Sequence, residues 1–378
     1  MKTYTKIALG SVVLVLVVVG VVWFNRGAIL PLVFAPTAST LPTIAPVNPA
    51  STQAGPVEEV VAKDLRAPWE LVFLPDGSML VTERAGSVVR ITPTKATIPV
   101  AGVVAVGEGG LLGMALHPDF QNNQRVYVYA TTRVGGALTN RVESYRLENN
   151  TLRDRKSILE NIPGSSNHDG GRIAFGPDGY LYITTGDAEK PELAQDVTSL
   201  AGKILRVRDD GSIPESNPFG NTVYSYGHRN PQGLAWDDQG RLWATEHGPS
   251  GLQSGSDELN RIESGKNYGW PVIRGVETKV GMVSPVVNSG TKETWAPAGM
   301  AYANGKLYFT GLRGQSLYVG KINADATVDL SVQLRNTYGR LRAVVLGPDG
   351  FLYITTSNTD GRGKITAGDD KIIRLKIQ

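Results

Sequence analysis

Of the chain's four histidines, His168 is the one set among small polar residues and glycines, in Gly164-Ser165-Ser166-Asn167-His168-Asp169-Gly170-Gly171-Arg172. Such a loop exposes an imidazole, lets a ligand come close and leaves the ring able to accept a proton near neutral pH. A surface turn histidine is the alternative for this residue taken alone. Tyr226-Gly227-His228-Arg229-Asn230-Pro231-Gln232-Gly233-Leu234 gathers a cation and amides in one loop, which suits an anionic or carbonyl-bearing ligand. Glu108 precedes the glycines of Gly109-Gly110-Leu111-Leu112-Gly113, and Arg313 and Arg340-Leu341-Arg342 lie far downstream. Strand alternation puts Arg340 and Arg342 on one face, where they repel unless an anion such as a polycarboxylate lies between them. Glu246-His247-Gly248-Pro249 opens a polar loop that runs on to Asp257-Glu258-Leu259-Asn260 and Asn267-Tyr268-Gly269-Trp270-Pro271. Its carboxylate and carbonyl oxygens suit a hard cation such as Ca²⁺, although an EF-hand spacing is absent. Each segment also has a plainer explanation: a solvated carboxylate, a salt-bridged turn, a pair of surface arginines.

A repeating scaffold must bring these segments together. An apolar run, a turn of Pro, Asp, Asn or Gly and an alternating strand recur six times. The copies lie at Phe73–Thr82, Leu116–Tyr129, Phe175–Thr185, Trp236–Thr245, Tyr302–Thr310 and Leu346–Thr356. Each copy is followed by a further strand, for example Ser87–Ile91, Val142–Leu147, Lys203–Val207, Leu317–Ile322 and Lys371–Ile377. Asp-Gly between strands is a hairpin signal, because glycine accepts positive φ. Units too small to bury their own faces imply a closed ring of small sheets, here an all-β, six-bladed β-propeller. The run Val57–Ala62 is expected to pair near the C-terminal strand and close the ring. An eight-stranded barrel and a pair of sandwiches fit the even repeat less well. A propeller does not name a function, but it directs attention to the loops at one end of its channel.

Composition narrows the setting. The 378 residues are 41% hydrophobic with 44 glycines and 22 prolines, enough for a sizeable core with many tight turns. A net charge of +3 without a Lys/Arg cluster gives no nucleic-acid footprint. The absence of cysteine excludes disulfides, thiolate metal sites and cysteine nucleophiles. Lys2 and Lys6 precede an uncharged apolar run from Ile7 to Phe24, which just reaches the roughly 18 residues a membrane-spanning helix needs. The small-residue site at Val33-Phe34-Ala35 is followed by Pro36, a poor cleavage point. The expected organisation is a membrane-anchor helix, or else a signal peptide, at 1–24, a Pro/Ala/Thr/Ser-rich linker at 25–56, and a catalytic propeller at 57–378. The propeller is then extracytoplasmic, periplasmic or cell-surface, or secreted if the leader is cleaved.

An ordered set of motifs carries a family resemblance across residues 57 to 378. It comprises Gly-Leu-Leu-Gly…His-Pro-Asp-Phe (110–120), Asn-His-x-Gly-Gly-Arg (167–172), Gly-Lys-Ile-Leu-Arg (202–206) and Asp-Gly-Ser-Ile-Pro (210–214). Gly-His-Arg-Asn-Pro-Gln-Gly-Leu (227–234), Asp-Glu-Leu-Asn (257–260) and Asn-Tyr-Gly-Trp-Pro (267–271) complete it. Together they resemble the glucose/sorbosone dehydrogenases, in particular the soluble-type aldose sugar dehydrogenases that use pyrroloquinoline quinone (PQQ). The resemblance implies a six-bladed propeller that oxidises an aldose at C1 to the lactone. His168 would be the general base, taking the C1 hydroxyl proton while hydride passes to the quinone. Arg229 and Asn230 would face the quinone oxygens, and Arg313, Arg340 and Arg342 would hold the cofactor carboxylates. Gly248 and Pro249 would offer carbonyls to a cofactor-bound Ca²⁺, and Glu258 and Tyr268 match a second calcium site. Departures are Glu108 for a cofactor-contacting glutamine, Asn167 for an aspartate, His247 for a glutamine and Arg313 for a lysine. The aromatic residues that line the sugar pocket in the glucose branch have no clear match between Trp270 and Trp295.

The partners implied are an aldose and an electron acceptor, a quinone or a cytochrome; a monomer and a homodimer are equally compatible. Two rival functions stand beside the dehydrogenase. A Ca²⁺-dependent sugar lactonase needs a carboxylate/amide metal site in the channel and has no use for Arg340 and Arg342. A non-catalytic binding propeller leaves His168 and Arg229 unemployed.

The apolar leader generates a first prediction. Full-length protein should fractionate with membranes and retain its N-terminus, while a chain starting near Val57 should be soluble and folded. A mature chain that begins in the thirties and is free of membrane would refute the anchor.

Overall fold

A computed structural model describes residues 58–251 and 254–377. The expected anchor helix and linker lie outside them. No helix among the described residues is long and apolar enough to cross a membrane.

Each of the six repeats begins a four-stranded antiparallel sheet, and the six sheets form the blades of a propeller. The innermost strands are Pro68–Phe73, Leu111–Leu116, Ile173–Phe175, Pro231–Trp236, Pro297–Ala303 and Leu341–Leu346. Aspartate, asparagine and glycine turns return the chain into the second strand, Met79–Glu83 in the first blade and Phe351–Thr356 in the last, while in the second blade the short helix Phe120–Asn123 takes the place of the turn. The ring closes as the sequence leads one to expect. Glu58–Ala62 pairs antiparallel with Ile372–Lys376, so the first strand among the described residues is the outermost strand of the sixth blade. Alternating apolar residues of adjacent blades pack face to face. Leu112 and Tyr127 of the second blade, for example, join Ile173, Leu181 and Leu205 of the third in one buried cluster.

The segment from Glu246 to Asn260 is not one polar loop, as its composition suggests. Glu246 ends the second strand of the fourth blade, and Glu258–Ile262 is its third strand, with Glu246 directly opposite Glu258. Polar residues at 257, 258 and 260 hide the strand in the sequence because hydrogen-bond partners inside the fold take the place of apolar contacts.

One device recurs where the chain enters a blade. A register shift interrupts pairing at the start of the innermost strand in the first, second, fourth, fifth and sixth blades. Such a bulge leaves a backbone N–H without a ladder partner. A threonine of the second strand supplies one: Glu70 N–H donates to Thr82 Oγ1 (3.0 Å) and Ala343 N–H to Thr355 Oγ1 (3.0 Å). In the third blade Arg172 N–H donates to Thr184 Oγ1 (2.9 Å). Second-strand threonine hydroxyls also donate to the next blade: Thr82 to Leu112 O (2.6 Å), Thr245 to Ala298 O (2.9 Å), Thr310 to Arg342 O (2.5 Å). Thr82 therefore completes its own bulge and staples its neighbour.

Thr82 is fully buried, so Thr82→Val keeps the shape but strands one donor and one acceptor. It should cost about 1–3 kcal/mol, the penalty for buried unsatisfied polar groups, as measured by denaturant unfolding. An unchanged transition would show that the hydroxyl does not staple the blades.

Candidate active site

Strand direction decides where the chemistry gathers. In an antiparallel blade, the start of the first strand and the end of the second lie at the same end of the ring. Glu108, His168, Arg229 and Arg340 stand just before first strands. Asp187, His247, Arg313 and Arg362 follow second strands. A cavity of about 440 Å³ opens at that end, lined among others by Glu108, His168, Arg229, Gly248, Arg313 and Arg340. A groove of about 500 Å³ between the third and fourth blades lies at the opposite strand ends, where Asp178 and Asp237 already engage its arginines Arg206 and Arg241.

His168 is held from both sides. Its Nδ1–H donates to Asp187 Oδ1 (2.7 Å), which leaves Nε2 as the acceptor, and Arg229 Nη2–H donates to that nitrogen (2.9 Å). Asp187 is fully buried and also takes hydrogen bonds from Trp270 Nε1 (2.8 Å) and Glu189 N (2.9 Å). The carboxylate thus selects the tautomer and aims the lone pair. Arg229 lies over the Trp270 ring, 5.4 Å from its centre, and its depressed pKa reflects burial, which nearby Asp187 opposes. His168 has a left-handed φ of 61°, a costly conformation for a residue with a β-carbon. Its N–H is fixed by Glu108 Oε2 (3.2 Å) and its carbonyl by Ala188 N–H (3.2 Å). The neighbouring loops press closely on this segment. A β-carbon on Gly186 would lie 1.8 Å from His168 O, and one on Gly107 1.9 Å from Ser166 O, so only glycine fits either position.

The other residues singled out in the sequence divide into cavity wall and support. Asn230 is fully buried and spent inside the protein, with Oδ1 accepting from Gly170 N (2.9 Å) and Nδ2 donating to Glu108 (3.4 Å). His228 is turned away: it donates to Glu246 (2.8 Å), accepts from Ser225 (2.9 Å) and stacks on Tyr268. Arg313 lines the cavity and donates to Ser254 (2.6 Å). Gly248 and Pro249 line it too, held by Asp257, which accepts from Gly248 N (2.8 Å), Trp295 N (2.6 Å) and Ala296 N (3.0 Å).

Arg340 and Arg342 do share a face, but the anion near them is the protein's own. Arg340 Nη2 lies 2.8 Å from Asp360. Burial alone would raise the Asp360 pKa, yet Arg340 and Arg342 hold it below the usual range. Only Arg340 lines the cavity. Arg342 lies beneath, bonded to Gln232 Oε1 (2.9 Å) and stacked on Trp69. Burial, helped by Arg340 and Arg84, pushes Arg342 down to about 9.

Glu258 and Tyr268 are buried apart from the cavity wall. Glu258 accepts from Asn260 Nδ2 (3.0 Å) and Gly275 N (3.1 Å), while the Tyr268 hydroxyl is engaged by Arg261 O (2.6 Å) and Glu263 N (2.8 Å). Their side-chain oxygens therefore do not converge. Among the described residues, no three His, Cys, Asp or Glu side chains cluster as a metal site.

Asp187, Asp360 and Arg362 support or line the cavity and are missed by motif reading, while Asp257, part of the Asp-Glu-Leu-Asn motif, acts as support. Their signal is positional. Asp187, Asp360 and Arg362 follow the second strand of a repeat, as His247 and Arg313 do, and Asp257 precedes the third strand of the fourth blade.

The geometry has counterparts in known proteins. The glucose/sorbosone dehydrogenase family model matches residues 65–372. The chain is 34% identical to the aldose sugar dehydrogenase YliI of Escherichia coli, over 80% of this chain and 90% of that one. It is 36% identical to quinoprotein glucose dehydrogenase B of Acinetobacter calcoaceticus, over 59% and 54%. The structure of the PQQ-bound form of an aldose sugar dehydrogenase from Streptomyces coelicolor superposes with a TM-score of 0.79 and 40% identity, covering 86% of this chain and 99% of that one. With the matched residues spanning all six blades and the site between them, the chain belongs to the glucose/sorbosone dehydrogenase family.

Proposed function

We propose that this protein is a PQQ-dependent aldose dehydrogenase that oxidises a sugar at C1 to the lactone. The observation that carries the proposal is the chain Asp187–His168–Arg229, a base with a fixed lone pair beside a buried cation at a cavity wall. His168 Nε2 would take the C1 hydroxyl proton, and Asp187 would stabilise the imidazolium that forms. An Arg229 N–H sits on that lone pair, so base action requires the guanidinium to turn to a ligand oxygen, where it stabilises developing negative charge.

The residues present fit the cofactor. Arg84, Arg340, Arg342 and Arg362 surround Asp360 and Glu108, two cations more than the carboxylates neutralise. Arg229 Nε and His247 Nε2 are buried without hydrogen-bond partners. A planar polycarboxylate with carbonyl oxygens meets both needs. Bound PQQ would supply the two-electron acceptor for the hydride leaving C1. Gly248 and Pro249 would offer backbone carbonyls to its calcium, and the facing carboxylates Glu258 and Glu246, without the Tyr268 hydroxyl that Arg261 O and Glu263 N engage, would serve the second calcium. A lactonase would need carboxylates rather than cations around the channel, and a binding module has no use for a base with a fixed tautomer. We further place the enzyme outside the cytoplasm, passing electrons to a quinone or cytochrome.

Protein loaded with PQQ and Ca²⁺ should show the quinone spectrum and lose it on addition of an aldose. Replacing the base, His168→Gln, should lower kcat by about 10²–10⁴-fold, the share of a positioned base, with PQQ still bound. Turnover within a few-fold of the parent would remove His168 from the mechanism and reopen the rival functions.

Calcium at Glu258 is tested by pH. Burial and the facing Glu246 push Glu258 up to about 8. Its protonated form favours the fold, and that contribution is complete below the ordinary carboxylate value of about 4.3 and lost as pH rises through about 8. In EDTA, Glu258→Gln should therefore gain stability relative to the parent between pH 5 and 8 in thermal melts. Added Ca²⁺ should stabilise the parent more at pH 8 than at pH 6, because binding releases a proton, and should do neither in the variant. Equal calcium shifts in both proteins would exclude Glu258 as a ligand.

A further inference from the structure

Glu108 and Arg362 come from loops of the second and sixth blades, 254 residues apart, and meet at the cavity wall with Arg362 Nη1 2.7 Å from Glu108 Oε1. Burial alone would raise the Glu108 pKa, but Arg362, followed by His247 and His168, holds the carboxyl far below its usual range, so it is ionised at any working pH. The other two donors to Glu108, His168 N–H and Asn230 Nδ2, would be served equally well by a neutral amide oxygen. Arg362 is the cation that meets the carboxylate directly, as an ion pair. Its second nitrogen, Nη2, donates to Asn167 Oδ1 (3.0 Å), next to the base. One guanidinium thus reaches both sides of the peptide that carries His168, through Asn167 on one side and Glu108 on the other.

An ionised carboxylate in the wall of a site for an anionic quinone would repel its ligand. We propose that Arg362 is a binding-site residue whose charge cancels that of Glu108, so that an acidic side chain at position 108 is compatible with a polycarboxylate in the cavity. This rests on the quinone-dependent function proposed above. The pair contributes no net charge to the wall. Removing Arg362 alone makes the wall more negative, removing the Glu108 charge alone makes it more positive, and removing both restores the balance.

The order of affinities follows and can be read without turnover. PQQ would be titrated in the presence of Ca²⁺ into sugar-free parent, Arg362→Leu, Glu108→Gln and the double variant, followed by quenching of tryptophan fluorescence. Arg362→Leu should weaken binding by about 10- to 100-fold, the scale of a charge-assisted hydrogen bond. Glu108→Gln should bind at least as tightly as the parent, and the double variant should return to within about threefold of it, a non-additive rescue. Thermal melts without PQQ separate a purely structural clamp. A lower Tm for Arg362→Leu with unchanged affinity overturns the proposal, as does a double variant no tighter than Arg362→Leu. If the leucine variant does not fold, Arg362→Gln, which keeps a donor for Asn167, provides the same comparison. A parent that takes up no PQQ would instead overturn the proposed cofactor, and this inference with it.

Discussion

Ring closure is the constraint on which everything else rests. Each blade is a small twisted sheet that buries its faces only against its two neighbours, so none is stable alone and the first and last must meet. The pairing of Glu58–Ala62 with Ile372–Lys376 does this by building the sixth blade from both ends of the chain. Main-chain hydrogen bonds, rather than side-chain complementarity alone, therefore hold the seam. The seam also matters to the site. Arg340, Asp360 and Arg362 belong to this closing blade, and they reach Arg84 in the first blade and Glu108 before the second. Fraying of the terminal strand would loosen the cation cluster before it disturbed His168, which stands on the third blade.

The cavity is organised as a charge ledger more than as a shape. Burying arginines is costly unless their charge is answered nearby. Here Asp360 answers Arg340 and in part Arg342, and Glu108 answers Arg362. The positive charge in excess is carried by Arg84 and Arg342, neither of which lines the cavity. The opposite logic holds the base: Asp187 is a buried carboxylate whose partners are His168, Trp270 and a backbone N–H, so it orients the imidazole without itself lining the cavity. Beneath the cavity, Arg172 and Arg342 both lie over the buried Trp69 ring.

Much of this was legible in one dimension. The aspartate and glycine turns and the alternating strands are local signals, because a hairpin depends on backbone conformations that only a few residues adopt. Six copies of them imply six blades, and strand polarity alone places His168, Arg229 and Arg340 at one end of the ring. The third strand of the fourth blade was not legible. Glu258 and Asn260 are buried polar residues, and their tolerance of burial depends on partners such as Gly275 N–H that sequence spacing does not reveal.

The sequence by itself determined the repeat, the closing strand, the family and the candidate base, since each follows from residue type and order. Only the tertiary structure decided what each polar side chain answers to. It placed Asp187 behind His168, turned His228 and Asn230 inward, set Asp360 between two arginines expected to await a ligand, and paired Glu108 with Arg362. The physical reason is that electrostatic and hydrogen-bond energies depend on distance and burial in space. Arg362 lies 254 residues from Glu108 along the chain and 2.7 Å from it in the fold, and no local pattern encodes that contact.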